Sequence, residues 1–317
     1  MVSMKDIANR LGISRCTVSN ILNEKLEGRS YKKETIELVK KTAEEMGYVS
    51  NTIAQSLKTG STKTIAIVVP DFANPFYINI VKEVESRANQ EDYNLIVCMT
   101  EEKLEKEEKV IKMLQSRMVD GILISPVSYT ESLKHVENAH VVCFDRCVRD
   151  GNFPRVVANN EEATRCLTKE VLDRGAKRPL FLVTSRDDYT IKYRVKGYKK
   201  ALSENGCEIR EERILYDVFN EEQAYDTLMN LPDSITFDSV ILSTNYVVYG
   251  VLRALKERDR LEIPMGGFDD FPGSGIVDNN MIIARMPEKE FGIRGYKKLF
   301  ELIKGKKVAD TTIKVIF

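Results

Sequence analysis

The chain has 317 residues, 43% hydrophobic and 30% charged, with 48 basic side chains against 48 acidic ones. That is a soluble globular composition long enough for two or three domains, and its net charge identifies no partner by itself. Six cysteines without a CxxC pair and two histidines argue against structural zinc and against a disulfide framework, and neither a membrane-length apolar run nor a signal-peptide core is present, so a cytoplasmic protein without metal or cofactor is expected.

The first stretch, residues 4–23 (MKDIANRLGISRCTVSNILN), reads as two short helices joined by a turn. Ser3 followed by Asp6 is a capping-box signal, and Ile7, Ala8 and Leu11 fall on one face at helical spacing. Gly12 supplies the turn because glycine enters a left-handed conformation without steric cost. Ser14 can cap the second helix, whose Val18, Ile21 and Leu22 point back at the first. Arg15, Cys16, Thr17, Ser19, Asn20 and Asn23 stay off that stripe, with side chains suited to base edges and phosphates in a major groove. Two such helices need a third element to pack on. Residues 31–46 supply it, with Gly47 as the stop. The first 60 residues hold ten Lys or Arg and seven Asp or Glu, a mild excess of +3.

Residues 48–60 (YVSNTIAQSLKTG) contain one helix of about 52–58, too short to be stable in water alone. The stretch reads either as a plain linker or as a hinge that folds only against DNA and a symmetry mate. In the second reading, Leu57 wedges between base pairs from the minor groove.

From residue 63 the pattern becomes strand–helix alternation. Strands are expected at 64–70, 93–100, 121–125, 140–145, 179–184, 213–216 and 239–244. Helices are expected near 76–89 and at 103–117, 161–174, 192–205, 221–230 and 247–258. Continuous apolar strands between amphipathic helices mean doubly wound parallel sheets, and the strands are too many for one sheet. The fold class is therefore α/β: an all-α helix–turn–helix headpiece followed by two doubly wound subdomains. Ligands bind beyond the carboxyl ends of such strands. The segments there are 71–77 (DFANPFY), Asp145–Arg146, 185–194, Asn245–Tyr246 and 267–272 (GFDDFP). They offer carboxylates, an arginine, amides and aromatic faces, the mix that clasps a sugar or a purine. Each also has an ordinary alternative: Asp145–Arg146 as a strand-end ion pair, Phe76 and Tyr77 as core.

Together these motifs resemble the LacI/GalR family of transcriptional regulators over nearly the whole chain. The markers are GISRCTVSNILN, the Ala54–Leu57 hinge, Asn74-Pro75-Phe76, Val119-Asp120-Gly121, Arg194-Val195-Lys196-Gly197-Tyr198 and Gly267-Phe268-Asp269-Asp270. The resemblance implies a repressor, a homodimer or a dimer of dimers, on a pseudo-palindromic double-stranded operator. It also implies a small-molecule effector held between two periplasmic-binding-protein-like subdomains. The implied division is a headpiece over 1–50, a hinge and linker over 51–62 and a core over 63–317. Within that core, one subdomain covers about 63–160 and 288–312, the other about 161–287.

By resemblance, the DNA contacts fall on Ser14, Arg15, Cys16, Thr17, Ser19, Asn20, Asn23, Tyr48, Asn51, Ala54 and Leu57. Asn20 stands where the family usually has arginine, which exchanges a guanine-reading guanidinium for an adenine-reading amide. Ser50 replaces a common proline at the hinge entry. Effector contacts fall on Phe76, Tyr77, Asp145, Thr190, Arg194, Phe219, Asn245 and Asp269, and Tyr246 stands where an Asp is usual. Members usually continue past 314–317 into one more strand. Two other classes remain in view. A solute-binding protein is disfavoured by the helix–turn–helix. A sugar-converting enzyme is disfavoured by the lack of a nucleophile–base pair, metal cluster or phosphate loop.

Overall fold

In this computed structural model, residues 2–23, 31–48, 60–72, 74–136, 139–274 and 281–317 are described. The chain divides into two compact units, Met1–Thr62 and Lys63–Phe317.

The first unit carries α1 (Met4–Leu11), α2 (Arg15–Leu22) and α3 (Lys33–Glu45). Ser3 and Asp6 form the capping box at the start of α1, and Gly12 closes it with φ 65°. Ser14 Oγ accepts from the Thr17 amide at 3.0 Å to cap α2. Ile7, Val18, Ile21 and Val39 are fully buried together, with Ala8 and Ala43 beside them. The third helix is therefore what buries the apolar faces of the first two.

The second unit opens with β1 (Thr64–Val69), α4 (Pro75–Gln90), β2 (Asn94–Met99), α5 (Leu104–Ser116), β3 (Gly121–Ile124), β4 (Val141–Phe144) and β5 (Arg155–Ala158). It continues through α6 (Asn160–Asp173), β6 (Pro179–Leu182), α7 (Tyr189–Glu204), β7 (Ile214–Leu215), α8 (Glu221–Met229), β8 (Ser239–Leu242), α9 (Val248–Glu257), β9 (Met265–Phe268) and β10 (Met281–Ala284). It ends with α10 (Glu288–Ile303) and β11 (Thr311–Ile313).

The strands form two sheets, in the orders β11-β5-β4-β3-β1-β2 and β10-β9-β8-β6-β7. Every ladder is parallel. That explains the unbroken apolar runs, since helices cover both faces of such sheets. The expected strands at 140–145 and 179–184 contract to Val141–Phe144 and Pro179–Leu182, beyond which the chain begins to turn. Asp145, at φ 60°, makes that turn in the left-handed region. Four strands without a clear periodic signal, β5, β9, β10 and β11, complete the sheets. They are only three or four residues long.

Helix α7 begins at Tyr189 rather than 192 because the Asp188 carboxylate accepts from the amides of Thr190 and Ile191. The chain crosses between the sheets near Asn159, whose side-chain oxygen accepts from the Val315 amide at 2.8 Å, and again near Met286. Ile316 then bridges Arg285 in antiparallel fashion.

Candidate functional site

The carboxyl ends of both sheets face one cavity of about 350 Å3. Asp71 follows β1, Glu101 and Glu102 follow β2, Val127 follows β3, and Asp145 and Arg146 follow β4. On the other wall, Thr184 and Ser185 follow β6, Ser243 and Thr244 follow β8, Asp269 follows β9 and Met286 follows β10. Ligands sit at this end of parallel sheets because the loops there are free to vary on a rigid base.

Of the eight effector residues expected, seven line the cavity: Phe76, Tyr77, Asp145, Thr190, Arg194, Phe219 and Asp269. Asn245 lies outside that lining. Its amide nitrogen donates to the Asp270 carbonyl at 2.8 Å and ties two strand-end loops together. Its neighbour Tyr246 reaches the cavity instead, and its hydroxyl donates to Asp71 Oδ2 at 3.1 Å from the other sheet. Phe76 and Tyr77 turn out to be both core and wall. They are 5% and 4% exposed, packed edge to face with centroids 5.1 Å apart. Asn74 caps α4 from below by accepting from the Phe76 amide at 2.9 Å, which fixes where these rings point.

The charged groups are closely organised. Tyr77 donates to Asp145 Oδ2 at 2.8 Å. Burial pushes the Asp145 carboxyl up to about 6, against the opposing pull of the Arg146 charge and the Tyr77 hydrogen bond. Burial also pushes Asp269 up to about 7, although Arg194 lies near and the Met286 amide donates to its Oδ1 at 3.1 Å. The alternative of an Asp145–Arg146 ion pair at the strand end is not what forms. Arg146 reaches away, with Nη1 and Nη2 forking onto Glu102 at 2.7 and 2.9 Å and Nε at 3.0 Å from Asp188 Oδ2. Although burial works against its charge, these carboxylates hold the Arg146 guanidinium well above its ordinary range.

Arg194 is 7% exposed and projects from α7. Its Nε donates to Asn160 Oδ1 at 2.9 Å, Nη1 donates to the Ser243 carbonyl, and the guanidinium lies 3.7 Å from the Phe268 ring centroid. Burial drags its pKa below the usual guanidinium range, with Asp269 and Asp145 opposing.

Residues that sequence reasoning did not nominate therefore carry much of the wall: Glu102, Arg146, Asp188, Tyr246 and Met286. Arg146, Asp188 and Tyr246 lie inside the strand-end segments 145–146, 185–194 and 245–246. Glu102 was findable by the same rule applied to β2, whereas Met286 follows a strand with no clear signal.

In the first unit, Arg15 and Cys16 are exposed on α2, while Thr17, Ser19 and Asn20 are half-buried. Asn20 Nδ2 donates to the Tyr31 hydroxyl at 3.0 Å and approaches Cys16 Sγ at 3.5 Å. Its amide nitrogen is thus engaged within the protein. Asn23 donates to the Ser19 carbonyl at 2.6 Å. Tyr48 packs half-buried against the helical core. Asn51, Ala54 and Leu57, with the expected hinge helix, lie outside the described residues. Among the described residues, no group of three or more His, Cys, Asp or Glu could hold a metal ion, and no helix is long and apolar enough to cross a membrane.

Residues 3–51 match the family model "Bacterial regulatory proteins, lacI family", and residues 62–317 match "Periplasmic binding proteins and sugar binding domain of LacI family". The chain belongs to the LacI family. It is a DNA-binding transcriptional regulator with a small-molecule-binding core, not an enzyme. It is 29% identical to the HTH-type transcriptional regulator RegA of Clostridium saccharobutylicum, over 97% of this chain and 94% of that protein. It is 28% identical to the HTH-type transcriptional repressor PurR of Vibrio atlanticus, over 96% and 93%. The fold matches the Lac repressor dimer bound to operator and the anti-inducer ONPF with a TM-score of 0.84. That match is at 20% identity and covers 99% of this chain and 96% of that one.

Proposed function

We propose that this LacI-family chain acts as a homodimeric, cytoplasmic repressor of an operator with two-fold pseudosymmetry, released or recruited by a sugar or purine-like effector in the cleft. The observation that carries the effector half is the cavity at which both sheets end, lined by buried carboxyls, arginines and aromatic rings. Phe76, Tyr77, Asp145, Thr190, Arg194, Phe219 and Asp269 are its contacts, with Asn245 positioning the Tyr246 turn. The DNA half rests on the exposed Arg15 and Cys16 of α2, together with Ser14, Thr17, Ser19, Asn20, Asn23, Tyr48, Asn51, Ala54 and Leu57.

The division into headpiece, hinge and two-subdomain core provides the coupling. An effector that draws the two sheets together changes the separation of paired hinges, an effect typically worth about 1–3 kcal/mol between sites. A gel-shift titration with upstream genomic DNA tests the DNA half. Affinity is expected to fall steeply with salt through counterion release. Leu57→Ala is expected to weaken operator binding and leave effector binding intact. Salt-independent DNA affinity, or equal loss of both activities in Leu57→Ala, would count against the reading. Sedimentation at micromolar concentration distinguishes the dimer from a tetramer.

A further inference from the structure

We propose that the second sheet carries, at the end away from the cleft, a separate binding site for a phosphate group, either the free ion or a small phosphorylated metabolite. It is independent of the effector reading above.

A cavity of about 300 Å3 opens at the amino-terminal end of that sheet. Arg178 lies just before β6, Phe237 just before β8, and Arg258 and Arg260 in the turn between α9 and β9. A four-residue strand spans about 13 Å, so the body of the sheet separates this cavity from the cleft. Three arginines line it against one carboxylate, Asp233.

The guanidiniums are held in place by the chain around them. Arg260 Nη2 donates to the Phe237 carbonyl at 2.7 Å, and the guanidinium lies 4.3 Å from the centroid of the Phe237 ring. Arg258 Nη2 donates to the Met229 carbonyl at 3.2 Å. Arg178 Nη1 donates to Thr236 Oγ1 at 3.4 Å, and its Nε lies 3.3 Å from Asp238 Oδ2. Behind them Arg213, 4% exposed, donates through Nε to the Thr236 carbonyl at 3.1 Å. Cations fixed in this way bind an anion with little further loss of side-chain freedom.

Bracing the segment 231–237 accounts for one nitrogen of Arg258 and one of Arg260, and no more. Arg258 Nε is buried with no hydrogen-bond partner, a state that calls for an explanation in a folded protein. Among the described residues, neither Arg258 nor Arg260 meets a carboxylate at ion-pair distance. Their neighbours differ. Arg178 meets Asp238, and Arg253, earlier on α9, is forked onto Glu222 at 3.1 and 3.0 Å. Two uncompensated guanidiniums match the charge of a phosphate monoester, about −1.5 to −2 near neutral pH, better than the single charge of a carboxylate. The several oxygens of a phosphate can also accept from donors that reach it from different elements.

The test is calorimetric titration of the full-length protein, at fixed ionic strength, with inorganic phosphate, glycerol 3-phosphate and acetate. The tighter of the two phosphates is expected to bind at least about tenfold more strongly than acetate. A tighter ester identifies a phosphorylated metabolite as the occupant, and an ester no tighter than phosphate identifies the free ion. Arg258→Gln and Arg260→Gln are each expected to weaken that binding at least about tenfold, whereas Arg194→Ala in the cleft changes it by less than about threefold. The melting temperature without phosphate shows whether each variant folds. Where a Gln variant does not fold, Arg258→Lys or Arg260→Lys is read in its place. Lysine keeps the charge and loses the planar set of donors, so a loss of at least about threefold is expected. The proposal is overturned if neither phosphate binds at about 10 mM, if acetate binds as tightly, or if the folded variants at 258 and 260 keep full affinity. It is also overturned if Arg194→Ala abolishes binding, which would put the phosphate in the cleft.

Discussion

Arg146, at the end of β4, holds Asp188, the cap of α7, across the cleft at 3.0 Å between Nε and Oδ2. One residue comes from each sheet, so the pair spans the two walls. The Asp188 side chain does two tasks, because its other oxygen accepts from Thr190 and Ile191 to start α7. It is 4% exposed and Arg146 15%, so solvent screens the contact little.

Asp188→Asn keeps an acceptor for the helix cap and removes the ion pair. Because Glu102 still holds Arg146 from the other side, the expected loss is about 2 kcal/mol rather than the full cost of an orphaned buried charge. In a unit of this size that is roughly 4–8 °C in melting temperature. Differential scanning fluorimetry reads it directly, and an unchanged melting temperature would show that the bridge does not brace the cleft.

The buried carboxyls give the effector-free protein a defined pH dependence. Asp269 rises to about 7 and Asp145 to about 6 on folding, both because burial disfavours the charged form. A raised folded value means the native state binds more protons than the unfolded chain between about pH 4 and 7. This contribution to stability is therefore full below about pH 4 and is lost as pH rises through 6 to 7. Asp269→Asn is expected to flatten that decline and to be more stable than wild type at pH 8, by about 1–2 kcal/mol. Urea unfolding at pH 5, 6.5 and 8 checks the sign. A variant less stable at pH 8 would show that the ionised carboxylate is a net stabiliser.

Gly197 and Gly250 mark two places where helices touch backbone to backbone. A methyl group at 197 would run into the Glu161 carbonyl where α7 crosses α6, and one at 250 into the Glu221 carbonyl. Backbone cannot yield as a side chain can, so Gly197→Ala should cost about 3 kcal/mol or more. A midpoint in urea within error of wild type would mean the helices simply slide apart.

Ser14→Ala removes the cap of α2 and is expected to destabilise the DNA-binding unit by about 1 kcal/mol, weakening operator binding in proportion. Asn20→Arg would break the bond to Tyr31 and present a guanidinium fork. Base preference opposite that position should shift toward guanine by about 1–3 kcal/mol. A binding-site selection experiment reads this as a change at one position of each half-site. An unaltered consensus would remove Asn20 from the reading face.

Much of the molecule is local in origin and was legible in sequence. The caps at Ser3 and Ser14, the left-handed Gly12 and the apolar strands β1 and β3 follow from a few neighbouring residues each. Of the eight effector residues that the family resemblance nominates, seven line the cavity, three from one sheet's side and four from the other's. Weakest in sequence were β5, β9, β10 and β11, at three or four residues each. Length alone does not set them apart, since β3, β4, β6 and β8 are also four residues long; β9 carries Gly266 and Gly267 in place of branched side chains, and pairing in a sheet is what holds it extended.

By itself, then, the sequence determined the helix–turn–helix, the two-sheet α/β architecture and the segments from which the cleft is drawn, because those depend on periodicity and capping within one stretch. Tertiary structure decided the partners. Arg146 passes over its neighbour Asp145 to join Glu102 and Asp188. Tyr246 reaches Asp71 on the opposite sheet, while Asn245 beside it turns to Asp270. Which way a side chain leaves a strand end depends on the turn that follows and on what the other sheet brings within reach, and neither is encoded in the residues next to it.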